Sequence, residues 1–114
     1  ILGIAGYASR KADRSKAMSD MEHIRNALEE FRLQYGKYPA VGDSDALTNA
    51  FTVTELTRLR NVAASNLNIG LQFEDPWGNG YWYCGESDFS YQLWSFGPDR
   101  RETNDNVDIR MSSL

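Results

Sequence analysis

From Ala17 onward the apolar residues recur as Met18, Met21, Ile24, Leu28, Phe31 and Tyr35, while Arg25, Glu29, Glu30 and Arg32 fall between them. Steps of three and four place the apolar set on one face of a helix. Gly36 is a suitable residue for the helix C-cap, and Pro39 bars continuation. No proline or capping signal interrupts the chain upstream, so the helix is predicted from near Ile1 to Tyr35. At 1.5 Å per residue it would be about 50 Å long, against a radius of gyration of about 13 Å for a compact domain of this size. The helix is too long for its globule. Residues 9–16, "SRKADRSK", carry no apolar stripe, and Gly3, Ala5, Gly6, Ala8 and Ala12 are small enough to let helices approach closely. Residues 1–16 are therefore read as a protruding helix that packs against copies of itself, with a solvated end as the alternative. Residues 17–114 form the globular domain.

Beyond Pro39, Ser44 is placed to cap a short helical turn carrying Leu47 and Phe51. Thr52 and Glu55 stand at capping-box spacing ahead of a helix of about ten residues whose apolar face is Leu56, Leu59, Val62 and Ala63. "SNLNIG" reads as a loop. At Leu71 the period changes: "LQFEDPWGNGYWYC" holds two strand-like runs around a turn rich in Pro and Gly. "GESD" is a second turn. In "FSYQLWSF" the alternation puts Phe89, Tyr91 and Leu93 on one face and Ser90, Gln92 and Trp94 on the other. "VDIRM" closes the chain as a last short strand. The fold class is α+β: a long N-terminal helix packed on a small antiparallel sheet, with a short helix between them and a C-terminal loop.

Composition bounds this picture without redirecting it. The 114 residues suffice for one domain, and 41% hydrophobic with 25% charged residues is ordinary for a soluble globule. The net charge of −4 argues against nucleic acid as a partner. That charge is uneven: residues 1–40 hold 7 basic and 5 acidic side chains, residues 41–114 hold 5 and 11. The single cysteine, Cys84, can form no intramolecular disulfide and reads as a small buried hydrophobe. No run approaches the roughly 20 apolar residues of a membrane helix. The opening "ILGIAGYA", with no initiator Met, looks like the end of something removed.

Candidate chemistry is sparse. His23 has no second histidine or ligand cluster near it and reads as a surface or flanking residue. No nucleophile–base pair, zinc spacing or phosphate loop occurs, so an enzyme is not expected. Tyr81, Trp82, Tyr83, Tyr91 and Trp94 serve either as core and self-interface or as a sugar- or peptide-binding platform; an alternating strand must bury one face, which favours the core. The stretch "SFGPDRRETNDNVDI", Ser95 to Ile109, is richer. Asp99, Thr103, Asn104, Asp105, Asn106 and Asp108 all carry the hard oxygens that calcium selects. It is not an EF-hand, because counting from Asp99 puts Asn104 where Gly is needed and Arg110 where Glu is needed. The residues alone leave two readings open, a calcium site and a solvated turn rich in Asp and Asn.

Three stretches resemble one family. "RKADRSKAMSDMEHIRNALEEFRLQYGKYP", "DPWGNGYWY" and "YQLWSFGPD" with a following "NVDI" look like the major pseudopilin of type II secretion systems (the GspG type), within the type IV pilin-like superfamily. The helix ending in Tyr-Gly-Lys-Tyr-Pro is shared with type IV pilins generally; the Asp-Pro-Trp-Gly turn followed by Ser-x-Gly-Pro-Asp is more specific to this branch. The resemblance implies an inner-membrane subunit, its domain in the periplasm, whose hydrophobic N-terminal helix bundles with copies of itself into a short filament and works with other pseudopilins and secretion-machinery proteins. "ILGIAGYA" would be the remnant of the membrane-spanning half. The resemblance further implies a C-terminal calcium site, with Asp99 and Asp108 as side-chain ligands and the Phe96 carbonyl as a neighbour. Val107 stands where the pattern has a second acid, and Asp105 would substitute from upstream. A metal clip would supply the cross-link that many type IV pilins make with a disulfide. Two other functions stay open at this point: a type IV pilin or minor pilin for adhesion, motility or DNA uptake, and a small carbohydrate- or peptide-binding module using Tyr81, Trp82 and Trp94.

Overall fold

The computed structural model describes residues 2–39, 45–97 and 109–113, with side chains described from Ala12 onward. Helix α1 runs without a break over Leu2–Tyr35. Its 34 residues correspond to about 51 Å of helix, and the longest dimension of the molecule is 51 Å. Termination follows the expected chemistry: Gly36 adopts φ +86° and its N–H donates to the Arg32 carbonyl at 2.7 Å. Among the described side chains the first buried one is Ala17; from Ala12 to Lys16 they are exposed or half-buried.

The buried stripe of α1 is Ala17, Met21, Ile24, Ala27, Leu28 and Phe31. Met18 and Tyr35, expected on that stripe, are 45% and 39% exposed. Each residue step turns the helix by about 100°, so with Ala17 facing the sheet Met18 must face away. The apolar Met misleads because alanine, not size, marks the contact: Ala17 and Ala27 let the helix lie close.

After α1 come a two-residue strand β1 (Asp45–Ala46), a helical turn α2 (Leu47–Ala50) and helix α3 (Val53–Val62). α3 has the predicted capping box: the Glu55 N–H donates to Thr52 Oγ1 at 3.1 Å and the Thr52 N–H to Glu55 Oε1 at 2.9 Å. The cap of α2 is Ala46, with no side-chain hydrogen bond; Ser44 lies outside the described residues. Of "SNLNIG", expected as a loop, Ser65–Leu67 instead belong to a π-helical turn, Ala63–Leu67, that prolongs α3, while residues 68–70 leave the helix as expected. Leu67 packs against the core and draws the chain on, and Asn68 ends the turn at φ +54°, a conformation asparagine tolerates better than most residues.

The sheet has four antiparallel strands in the order β1–β2–β3–β4, with β2 Trp82–Ser87, β3 Ser90–Ser95 and β4 Ile109–Ser112. In register, Trp82 pairs Trp94, which pairs Arg110; Tyr83 pairs Leu93, which pairs Met111; and Ser95 pairs Ile109. β1 was not foreseen, since two residues show no alternation. It pairs Asp45 with Tyr83 and Ala46 with Trp82. The strand expected at Leu71–Glu74 reduces to one bridge, Glu74 to Gly80, because beyond Gly80 that edge is taken by β1, which pairs Trp82 and Tyr83, and by the Leu47 N–H, which donates to the Tyr81 carbonyl at 2.8 Å. Phe89, expected on the buried face of β3, sits in the preceding turn and is 65% exposed.

The inner face of the sheet offers Tyr83, Tyr91, Leu93 and Ile109 to α1, completing one core with Phe51, Leu59, Val62 and Phe73. Rings fill it edge to face: Tyr38 against Tyr91 and Phe51 against Tyr83, both with centroids 4.7 Å apart. Polar contacts fix the helix on the sheet. Tyr81 Oη donates to Asp20 Oδ2 at 3.0 Å, and Tyr83 Oη to the Pro39 carbonyl at 2.8 Å. Tyr38 Oη donates to Glu29.

Candidate functional site

The residues singled out in the sequence converge on the connection between β3 and β4, so the site is built from where the chain leaves β3. Upstream, Asp75-Pro76-Trp77-Gly78 makes a β-turn: the Gly78 N–H donates to the Asp75 carbonyl at 3.0 Å. Proline in its second position presets φ, and Gly78 takes φ +87°. The Asp75 N–H donates to the Asn79 carbonyl at 2.7 Å, closing the loop from the other side.

The Asp75 side chain then finishes the turn. Its Oδ1 accepts from the Trp77 N–H at 3.1 Å and the Asn79 N–H at 2.8 Å, an Asx arrangement. Its Oδ2 faces away from the turn and accepts from Ser95 Oγ at 3.2 Å. Ser95 Oγ in turn accepts from the Gly97 N–H at 3.1 Å, and Asn79 Nδ2 donates to the Gly97 carbonyl at 3.3 Å. Gly97 adopts φ +70°, a backbone conformation that favours glycine. The Asp-Pro-Trp-Gly turn and the Ser-x-Gly sequence, some 20 residues apart, are thus one hydrogen-bonded joint.

Asp75 is 5% exposed and Ser95 fully buried. Burial pushes the Asp75 carboxyl above its ordinary value, and the hydrogen bonds from Asn79, Ser95 and Trp77 oppose that shift without cancelling it. On the outer face of the sheet Phe96 stands edge-on to Trp82 and Trp94, at 5.4 and 6.4 Å between centroids. The Arg110 guanidinium lies 5.1 Å from the centre of the Trp94 ring.

Of the candidate ligands, Phe96 is placed: it is buried and adjoins both ends of the joint. Its ring is occupied by the tryptophans, so a carbonyl is what it can offer a cation. Asp99, Asp105 and Asp108, together with Val107, lie outside the described residues. Their chemistry fits calcium, being carboxylate and carbonyl oxygens without a soft donor among them. Ser95 and Ile109, directly paired across β3 and β4, hold the two ends of the segment that carries these residues. Among the described residues, no group of three or more His, Cys, Asp or Glu is placed to hold a metal ion.

The aromatic residues do not make a platform. Tyr81, Tyr83 and Tyr91 are fully buried and Trp94 is 4% exposed, leaving Trp82 half-buried. His23 is half-buried on α1, and Cys84, expected buried, is half-buried on β2. Asp75, Asn79 and Ser95 were not foreseen as site residues. The signal was present, since Asp-Pro-x-Gly-Asn is an Asx-turn sequence, but nothing local shows that Oδ2 reaches a serine on another strand.

The profile of the family described as type II secretion system (T2SS), protein G matches residues 7–113. The type II secretion system core protein G of Escherichia coli K12 is 35% identical over 91 residues, covering 78% of this chain and 61% of that protein. Those of Aeromonas hydrophila and Vibrio cholerae are each 31% identical, covering 84% and 81% of this chain and 66% and 62% of theirs. The chain therefore spans about three fifths of the length of the curated relatives it matches. No solved structure matches it. Among the described residues, no helix is long and apolar enough to cross a membrane.

Proposed function

The chain belongs to the type II secretion system protein G family, and from that premise we propose that it is the globular part of a pseudopilin, a structural subunit of a periplasmic filament in type II protein secretion. Its work is assembly, not chemistry. The observation that carries the reading is α1: one unbroken helix, Leu2–Tyr35, in which Ala17 is the first buried residue among the described side chains, Ala12 onward. A helix longer than the globule it packs on can bring small residues such as those of its first turns against other helices. Copies of the chain would bundle through that end, anchored in the inner membrane by an apolar N-terminal segment, with the sheet-bearing domain outside. Other pseudopilins and secretion-machinery proteins would be its partners.

Deleting the gene tests this. Substrates of the secretion system should accumulate in the periplasm, and the full coding sequence should restore their release. Undiminished secretion by the deletion strain sinks the proposal.

The calcium reading belongs to the same proposal. Asp99 and Asp108, with Asp105 and the Phe96 carbonyl, would hold the ion, which when bound would cross-link the end of β3 to the start of β4. An ion that binds only the folded chain adds about 2.7 kcal/mol at 100 times its dissociation constant, or roughly 10 °C for a domain of about 100 residues. We expect the thermal midpoint to rise by that much in calcium over chelator, and the rise to vanish in Asp99→Ala. Identical melts with and without the ion return the segment to a solvated turn.

A further inference from the structure

Asp75 lies outside the ligand set just named, yet both of its carboxylate oxygens are committed. A turn of this kind is closed by Oδ1 alone, through the Trp77 and Asn79 N–H groups. Oδ2 instead receives the Ser95 hydroxyl. The two arms meet again at Gly97, whose N–H is held by Ser95 Oγ and whose carbonyl is held by Asn79 Nδ2. Phe96 sits between these two fixed residues with its ring set against Trp82 and Trp94. The direction of its carbonyl therefore depends on the peptide planes that Asp75 holds through Ser95 and Asn79.

We propose that Asp75 is a positioning residue for the β3–β4 connection: it fixes the backbone at Ser95–Gly97 and so sets the calcium affinity of the chain without touching the ion. This rests on the calcium reading above. The physical basis is general. Partners that orient a ligand from behind typically govern metal affinity by about 10- to 100-fold, because a ligand aimed before binding has less freedom to lose. Here the aiming group is a carboxylate with less than a tenth of its surface exposed, reached through one hydroxyl and one carboxamide.

The test is calcium titration of the chain by calorimetry, for the wild type, Asp75→Asn, Ser95→Ala and Val62→Ala. Asp75→Asn keeps an acceptor for the turn, and Ser95→Ala cuts only the arm to β3. Val62→Ala trims the buried core of α3 and serves as a control for loss of stability alone. Both joint variants should bind calcium about 10-fold or more weakly, with Val62→Ala unchanged. Wild-type affinity in Asp75→Asn and Ser95→Ala overturns the proposal, as does an equal loss in Val62→Ala. Amide exchange at Gly97 separates this failure from failure of the calcium reading itself. Should the wild type bind no calcium, the calcium reading falls and exchange decides the positioning role alone: faster Gly97 exchange in Asp75→Asn than in Val62→Ala supports it, and equal rates overturn it.

Discussion

The seam between α1 and the sheet and the exit from β3 each bury one carboxylate, Asp20 at 6% and Asp75 at 5% exposure, and keep it by different means. Asp20 is answered by side chains: the Tyr81 hydroxyl from the sheet, and Lys16 at 3.1 Å with more than half of its own side chain in solvent. Asp75 is answered by two backbone N–H groups and a buried hydroxyl, with no cation among its hydrogen-bond partners. The lesson is that a charge can be buried at the rim of a seam by a lysine that stays wet, whereas at the exit it must be met by groups the fold itself has ordered. At the seam one of the two partners, Lys16, is exposed and can follow Asp20 as it moves; at the exit all three partners of Asp75 are held by the fold.

The same contrast separates the two regions in pH, and the largest effect belongs to the seam. Burial pushes Tyr81, Tyr83 and Tyr91 well above their ordinary 10.0, with nearby carboxylates or phenols adding to the shift. Above pH 10 the unfolded chain releases these protons while the folded chain retains them. Folded pKa values above the unfolded ones mean stability that is complete below pH 10 and lost as pH rises beyond it. We expect the far-ultraviolet circular dichroism to collapse in alkali together with the rise of tyrosinate absorption from these residues. Full titration of all six tyrosines near pH 10 with the fold intact breaks the comparison.

Next in size are the variants that empty each site. Asp75→Ala abandons one buried and two part-buried donors, and at 1–3 kcal/mol for each unmet group, not fully additive, a loss of about 3 kcal/mol in urea melts is expected. Tyr81→Phe removes one donor from Asp20 and leaves it Lys16, so about 1 kcal/mol is expected. Reversed order would mean that the seam, not the exit, is the rigid region. The smallest effect is on the acid side. The folded Asp75 carboxyl binds its proton more readily than the unfolded one, so this residue alone makes the chain less stable as pH rises from its unfolded to its folded pKa. The stability of the wild type relative to Asp75→Asn should therefore fall across that window. A difference that rises with pH sharpens the opposite view, in which the three hydrogen bonds outweigh burial.

Much of the seam is legible in the sequence and little of the exit is. The period of Met21, Ile24, Leu28 and Phe31, the Gly36 cap and the Thr52–Glu55 box act within a turn of helix, so spacing reveals them. Met18 misleads because apolar character does not report the helix phase, which Ala17 and Ala27 set by allowing close approach. Phe89 misleads because alternation cannot say where a strand begins. Both motifs of the exit are visible as turns, but the hydrogen bond from Ser95 on β3 to Asp75 in the upstream turn spans 20 residues that no local rule brings together. Asp99, Asp105 and Asp108 keep the reading that sequence chemistry and family resemblance gave them, as proposals.

The length of α1 has a mechanical consequence. Ala17, the first buried residue among the described side chains, is a fulcrum, and the 15 residues from Leu2 to Lys16 are a lever with an arm of about 22 Å. A tilt of about 5° at the fulcrum swings the tip by about 2 Å, which is large beside the 8–10 Å spacing of packed helices. Asp20 lies one turn from the fulcrum and is tied to the sheet through Tyr81. That hydroxyl, with the buried stripe from Ala17 to Phe31, holds the angle at which the N-terminal end of the helix leaves the sheet.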